Sequence, residues 1–265
     1  MTAENLSLSP ELLDAIRRIS GTEHLLVALD FDGTLSPIVD RAEDARPLPR
    51  AAAALEAVAE LPRTTTALIS GRALDSLRLV ASPPVDTLLI GSHGAEVWLG
   101  EGSLGLELDE DQRSKLAAVR EVLAEIVNIA PGTLLEDKPA GVVLHTRMAD
   151  DDVAEDAVEA ATRVLREHPG VYVKTGKRVL EVSVVKASKG EAVEFLRQAT
   201  GATAMLFAGD DVTDEDAFGR LMGDDVGIKV GLDFTQAQYR VEAPVQVAEL
   251  LEALLRERRR VTAEA

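Results

Sequence analysis

Two carboxylates, Asp30 and Asp32, lie two residues apart in the segment Asp30-Phe31-Asp32-Gly33-Thr34, at the end of the apolar run that starts at Leu25. At the end of a strand, side chains spaced by two lean to the same side. Carboxylates so placed can divide a phosphoryl transfer between them, one attacking phosphorus while the other moves protons. Gly33 permits a tight turn, and the Thr34 hydroxyl can donate to a phosphate oxygen. The plainer use of the same acids is to cap a neighbouring helix.

A second acidic set, Gly209-Asp210-Asp211 followed by Asp214, Glu215 and Asp216, ends another apolar run. Hard oxygen donors of this kind suit Mg²⁺. Acids at a helix start also complement its dipole, and Asp214 to Asp216 are placed for that. Asp210 and Asp211 come before the turn, at a strand end like Asp30, so metal binding is the reading for them. Ser70 ends a third apolar run, and Lys189 opens a helix beside Gly190. A hydroxyl and an ammonium can hold a transferring phosphoryl group while charge builds on its oxygens.

These residues need a scaffold that brings strand ends together, and the periodicity supplies one. Leu25–Phe31, Thr66–Ile69 and Thr87–Ile90 read as buried strands, with helices over Arg50–Glu60 and Ala73–Val80 between them. Strand alternating with helix predicts a parallel sheet covered on both faces. After Gly100 the rhythm changes to helix (Asp109–Asn128), paired strands (Thr133–Glu136, Gly141–Thr146), helix (Asp151–Glu167) and paired strands (Val171–Lys174, Val179–Val184). That is an inserted α+β domain, expected over 105–182 between core parts 1–104 and 183–265. The parallel rhythm resumes with Lys189–Gln198, Ala204–Ala208, Asp214–Leu221, Val226–Lys229 and Pro244–Glu257. A charged, frayed tail is expected from Arg258 on.

The chain of 265 residues carries 46 Asp and Glu against 28 Lys and Arg, a net charge of -18. Such a surface repels nucleic acid and anionic lipid, so neither is an expected partner. It repels phosphate esters too, so a phosphate-handling site here requires local cations or a metal. The absence of cysteine excludes disulfides, thiolate metal sites and cysteine nucleophiles. No apolar run is long enough to span a bilayer, and the polar N-terminus lacks the basic region of a leader. A soluble, cytoplasmic monomer is the expectation.

Asp-x-Asp-Gly-Thr, a strand-end Ser, a Lys and Gly-Asp-Asp, in that order, resemble the haloacid dehalogenase superfamily of phosphotransferases over essentially the whole chain. The insert falls where such enzymes carry a C2-type cap. The resemblance implies a doubly wound parallel-sheet core with an inserted α+β cap. It implies that Asp30 forms an aspartyl-phosphate, and that Asp32 protonates the leaving oxygen and then activates water. It implies Mg²⁺ held by Asp30, the main-chain carbonyl of Asp32 and Asp210, with Asp211 and Asp214 supporting.

Five further segments together resemble the trehalose-6-phosphate phosphatases. They are Ile69-Ser70-Gly71-Arg72, Gly91-Ser92-His93-Gly94-Ala95-Glu96, Glu136-Asp137-Lys138 with His145 and Arg147, Gly176-Lys177-Arg178-Val179-Leu180-Glu181, and Gly209-Asp210-Asp211-Val212-Thr213-Asp214-Glu215-Asp216-Ala217-Phe218. The resemblance implies that Glu136, Lys138, Lys177 and Glu181 grip the sugar hydroxyls, with Arg147 as a helper. Arg72 and His93 are further candidate substrate contacts. Carboxylates and ammoniums together satisfy hydroxyls both as donors and as acceptors; cross-strand salt bridging is the ordinary use of the same residues. One departure is the stretch Val182-Ser183 after Glu181, where the family carries Arg-Pro.

The implied reaction is release of trehalose from a small-molecule substrate, trehalose 6-phosphate. Sucrose phosphate, glucosylglycerol phosphate or a hexose phosphate would be the alternative esters. A mutase would pass the phosphoryl group to a second hydroxyl, and a regulatory phosphate-binding protein need not keep both Asp30 and Asp32. Gly100, Gly102 and Gly105 match a dinucleotide fingerprint, but the acidic stretch Leu106–Glu110 after them does not open a helix for a pyrophosphate. Trp98 is read as packing.

Overall fold

The computed structural model describes residues 8–103, 105–176 and 178–263. In chain order the first elements are α1 (Pro10–Ile19), β1 (Leu25–Leu29), α2 (Pro49–Ala59), β2 (Thr64–Ile69), α3 (Leu74–Ala81), β3 (Leu88–Gly91) and β4 (Glu96–Trp98). Then come α4 (Glu110–Ile129), β5 (Leu134–Lys138), β6 (Gly141–His145), α5 (Asp151–Leu165), β7 (Tyr172–Gly176) and β8 (Val179–Ser183). The last are α6 (Lys189–Thr200), β9 (Ala204–Gly209), α7 (Thr213–Phe218), β10 (Val226–Val230), β11 (Tyr239–Val241) and α8 (Pro244–Ala263). The chain forms two compact units, one from the chain up to residue 104 and from 187 on, the other from Gly105–Lys186. The second unit runs past the expected 182 because Ser183 still pairs with Gly141 and Tyr172, and the Val184 amide donates to the Ala140 carbonyl at 2.9 Å.

The first unit is a sheet of order β11-β10-β9-β1-β2-β3-β4, parallel except for the β3–β4 pair. β1 is buried along its whole length. Leu25, Val27 and Leu29 enter the core with α1, α2 and α8, while Leu26 and Ala28 enter the one with α6 and α7. A strand covered on both faces needs apolar residues at every position, hence the unbroken run. From β1 the chain goes to β2 and β3 on one side, then crosses to β9, β10 and β11 on the other. The carboxyl ends of β1 and β9 therefore flank the topological switch point, where open α/β sheets bind ligands.

α1, β4 and β11 have no counterpart among the elements expected from the sequence. α1 is fixed by the Ser9 hydroxyl accepting from Leu12 N, by Pro10 at its first position, and by Leu12, Ala15, Ile16 and Ile19 on one buried face. The expected frayed tail is corrected too: α8 continues to Ala263, and Arg258 is only 1% exposed. Its guanidinium donates to the carbonyls of Ser20 (2.9 Å), Arg63 (2.7 Å) and Thr22 and to the Thr64 hydroxyl (3.2 Å), tying α8 to the segments that enter β1 and β2. Trp98 packs against the core as expected, with the Arg78 guanidinium over its ring.

The second unit is an antiparallel sheet of order β5-β6-β8-β7. One face packs on α4 and α5, through Val142, Leu144, Leu180 and Val182 against Val119, Leu123, Ala157 and Ala161. Side chains alternate along each strand, so the other face carries the row Glu136, Val143, Glu181 and Lys174, aligned across the strands. Among the described residues, no helix is long and apolar enough to cross a membrane.

Candidate active site

β1 ends at Leu29, and Asp30 is the first residue beyond it, its amide bonded to the Ala208 carbonyl of β9 at 2.9 Å. The chain then turns back sharply: Thr34, Leu35 and Ser36 amides all donate to the Phe31 carbonyl, and Gly33 N to Ser36 O. Gly33 has a φ of 81°, and a Cβ there would lie 2.1 Å from Asp210 Oδ2. A Cβ on Gly209 would lie 2.2 Å from the Asp214 carboxyl carbon. These two glycines are therefore required for space, because they let two carboxylates close in beside Asp30. The buried Thr34 hydroxyl points to Asp210 Oδ1 at 3.5 Å.

Asp30, Asp210 and Asp214 bring carboxylate oxygens within 4.8 Å of one another. One cation faces them. Lys189 Nζ, 2% exposed at the start of α6, donates to Asp30 Oδ1 and to Asp214 Oδ1, each at 2.7 Å. Burial alone would lower the Lys189 pKa, but the charges of Asp214 and Asp30 outweigh it and hold the ammonium above its ordinary value. Burial raises Asp30 well above the ordinary carboxylate range; Lys189 opposes this, and the charges of Asp214 and Asp210 add to it. Asp210 is pushed up to about 6, by burial first and the Asp214 charge next.

This cluster has three acids and one ammonium, all oxygen donors on the acidic side, with space cleared by Gly33 and Gly209. It fits a hard divalent cation, whose charge would offset the burial and the mutual repulsion that raise Asp30 and Asp210. Asp30, Asp210 and Asp214 are the side chains that would hold it. Asp211 is turned elsewhere: its carboxylate accepts from Val212 N at 2.7 Å, while its amide donates to Asp214 Oδ2 at 2.8 Å.

Asp32 has a different cation. Arg72 Nε and Nη2 each donate to one of its carboxylate oxygens at 2.6 Å, Nη1 donates to the Ala42 carbonyl at 2.8 Å, and the guanidinium lies over the Phe31 ring. Ser70, 1% exposed, is the first residue beyond β2, the neighbour of β1, and its hydroxyl accepts from Arg72 N at 3.2 Å. The Ser70–Arg72 turn is braced by Ser92 and His93, consecutive residues with φ of 46° and 55°. Their amides donate to Arg72 O (2.7 Å) and Ser70 O (3.0 Å), and a Cβ on Gly71 would meet the His93 ring at 2.6 Å. Two adjacent left-handed residues that are not glycine represent strain held by the surrounding structure. Glu96, 6% exposed, contributes by accepting from the Ser92 hydroxyl at 2.6 Å and from Leu74 N at the start of α3.

On the open face of the second unit, Lys138 Nζ donates to Glu181 Oε1 at 3.0 Å, and His145 Nε2 lies 2.8 Å from Glu136 Oε2. The hydrogen bond from His145 holds the Glu136 carboxyl below its ordinary range, with the Lys138 charge assisting. Arg147 is exposed in the turn after β6.

A sequence model of the trehalose-phosphatase family matches residues 28–248. The chain belongs to the trehalose-phosphatase family. It is 34% identical to a trehalose-phosphate phosphatase of Mycobacterium avium, over 92% of this chain and 67% of that one. The C-terminal domain of a Candida albicans trehalose-6-phosphate phosphatase superposes with a TM-score of 0.78 at 25% identity, covering 95% of this chain and 99% of that one. A haloacid dehalogenase-like hydrolase from B. subtilis shares the fold, with a TM-score of 0.60 at 16% identity over 86% of this chain and 98% of its own.

Within this trehalose-phosphatase family phosphatase, the structure sorts the residues singled out from sequence. Asp30, Thr34, Lys189 and Asp214, all buried, form one group with the half-buried Asp210, and Asp32, Ser70, Arg72 and His93 form a second, joined through the Asp30–Thr34 turn. Arg72, expected as a substrate contact, spends two nitrogens on Asp32. Asp211, expected among the metal ligands, caps its own loop. Glu136, Lys138 and Glu181 share one sheet face, and Lys177 lies outside the described residues. Sequence reading passed over Lys174, aligned with Glu181 on that face, and Lys229, a lysine inside the apolar run of β10. A charged residue in an otherwise apolar strand was the available signal for Lys229.

Proposed function

We propose that this protein hydrolyses trehalose 6-phosphate to trehalose and inorganic phosphate, with Mg²⁺ as cofactor and Asp30 as nucleophile. The observation that carries the mechanism is the separation of the two acids: Asp30 is held by Lys189 inside the cluster, Asp32 by Arg72 outside it. Carboxylates in such different surroundings can take different roles in one reaction.

An Asp30 oxygen attacks phosphorus, and the bond from phosphorus to the sugar oxygen breaks. Asp32 supplies the proton that oxygen needs to leave as a hydroxyl. Asp32, now a carboxylate, takes a proton from water, whose oxygen attacks phosphorus and frees the Asp30 carboxylate along with inorganic phosphate. Lys189 and the Ser70 hydroxyl offset charge on the phosphoryl oxygens as the transfer proceeds. A bound Mg²⁺, held by Asp30, Asp210 and Asp214, would supply further charge stabilisation and keep the nucleophile ionised.

Family membership and the paired carboxylates and ammonium of the cap-like unit support a sugar as leaving group, with Glu136, Lys138 and Glu181 answering its hydroxyls. Val182 and Ser183 stand where the resemblance calls for Arg-Pro, which keeps sucrose phosphate, glucosylglycerol phosphate and hexose phosphates in the test. The experiment is phosphate release from a panel of sugar phosphates with and without Mg²⁺. Preference for trehalose 6-phosphate is the expected result; a stronger preference for another ester would replace that assignment.

A further inference from the structure

A second lysine is buried beneath the same loops and takes no part in the steps above. Lys229 lies in β10 among the buried residues Val226, Ile228 and Val230 and is 2% exposed. An ammonium in the middle of a sheet is costly unless its donors are met. Its Nζ donates to the Asp210 carbonyl at 2.7 Å and lies 3.4 Å from the Asp211 carbonyl and 3.5 Å from Glu215 Oε1. The other Glu215 oxygen accepts the Gln236 amide at 2.8 Å, so the carboxylate facing Lys229 is itself anchored to the segment after β10. A single buried cation thus gathers the main chain of the two residues directly after β9, the first of which sends its side chain into the acid cluster.

We propose that Lys229 is the positioning residue for Asp210, fixing the 210–211 main chain so that the Asp210 carboxylate is presented for metal. This rests on the reading of the acid cluster as a divalent cation site. Removing the ammonium leaves the Asp210 and Asp211 carbonyls without their shared donor and Glu215 without its ion-pair partner, and the loop is then free to carry Asp210 away from Asp30 and Asp214. The metal, not the sugar, is what such a change should affect. Groups that orient metal ligands from behind typically cost 10- to 100-fold in metal affinity when removed.

The test is Mg²⁺ titration of wild type, Lys229→Met and Lys229→Arg, followed by calorimetry and by the rise in Tm on metal addition, with steady-state kinetics alongside. Lys229→Met should bind Mg²⁺ about tenfold or more weakly and need correspondingly more for half-maximal activity, with KM for the phosphate ester unchanged at saturating Mg²⁺. Lys229→Arg, whose guanidinium can reach the same carbonyls, should restore most of the affinity. Wild-type Mg²⁺ affinity in Lys229→Met overturns the role of Lys229 alone. A wild-type protein that binds no Mg²⁺ overturns the cation reading and this proposal with it. Should Lys229→Met not fold, the milder Lys229→Gln is titrated in the same way, and undiminished affinity there counts equally against the proposal.

Discussion

Arg72 holds Asp32 in a two-point grip, Nε and Nη2 each 2.6 Å from a different carboxylate oxygen. The grip is rigid because the remaining guanidinium nitrogen is tied to the Ala42 carbonyl and the plane rests over Phe31. Orientation of a carboxylate by a fork of this kind is specific to arginine, since a lysine offers a single point charge, and it matters for rate if Asp32 moves protons as proposed. Displacing a reacting group by about 1 Å can cost about 10²-fold in rate. Arg72→Met should therefore lower kcat by roughly that factor, and Arg72→Lys should recover little. Steady-state kinetics with p-nitrophenyl phosphate, which has no sugar, decides it. A kcat near wild type in Arg72→Met would show that the grip serves folding only.

The acid cluster predicts a linked dependence on pH and metal. Asp210 titrates near 6 in the metal-free protein, because burial and the Asp214 charge disfavour its ionised form. Between the ordinary carboxylate range and about 6, the folded state thus keeps a proton that the unfolded chain has lost. Metal-free stability should fall as pH rises through that window. A divalent cation must displace the same proton, so the Tm increase produced by Mg²⁺ should be large at pH 7.5 and shrink as pH falls below about 6. Melting curves with and without Mg²⁺ across this range measure it. A metal-induced increase that is constant with pH would mean that Asp210 is not a ligand.

Gly33 and Gly209 are required for space. A methyl at residue 33 would sit 2.1 Å from an Asp210 oxygen on a backbone with φ of 81°, and one at residue 209 would sit 2.2 Å from the Asp214 carboxyl carbon. Either substitution to alanine must displace a carboxylate of the cluster, at a cost of about 1–3 kcal/mol in overpacking or strain. Gly33→Ala and Gly209→Ala should lose most activity together with most of the Mg²⁺-induced rise in Tm. Gly201→Ala is the control: its Cβ would meet nothing within 4 Å, although its φ of 66° carries the same backbone penalty. If the control loses as much activity, backbone strain and not crowding of the carboxylates is the cause.

The acids of the candidate site were legible because they report themselves in pairs and positions: two at one strand end and two at another, each pair behind an unbroken apolar run. What they do to each other was not legible. Nothing local in the sequence says that Arg72 serves Asp32, since that depends on how segments 40 residues apart are brought together; Asp211 bonds the amide next to it, and its residue type and strand-end position alone do not separate that use from metal binding. The C-terminal segment shows the same limit. Arg258 opens a charged stretch that reads as solvated, yet in three dimensions it meets the carbonyls left open where the chain enters β1 and β2. Arg258→Met should cost about 3 kcal/mol, a few unmet buried carbonyls. Chemical denaturation reads that loss, and an unchanged midpoint would mean that the segment is dispensable.

Glu136 and Lys138 offer the sharpest test of substrate assignment. On the open face of the second sheet Glu136 pairs with His145 and Lys138 with Glu181, an arrangement that ordinary cross-strand salt bridging would also produce. The two explanations differ in what is lost on substitution. Exposed pairs contribute about 0–1 kcal/mol to stability, so Glu136→Ala should barely change Tm in either case. If the face answers sugar hydroxyls, kcat/KM for trehalose 6-phosphate should fall by about 10- to 100-fold, the cost of about 1.4–3 kcal/mol of hydrogen bonding to a charged group. Turnover of p-nitrophenyl phosphate, which has no hydroxyls to hold, should stay near wild type. Lys138→Ala should show the same split between the two esters, and the double variant should fall short of the summed losses, because Lys138 bonds Glu181 and its charge also acts on Glu136. Equal losses with both esters would remove these residues from sugar recognition and leave the reaction at Asp30 untouched.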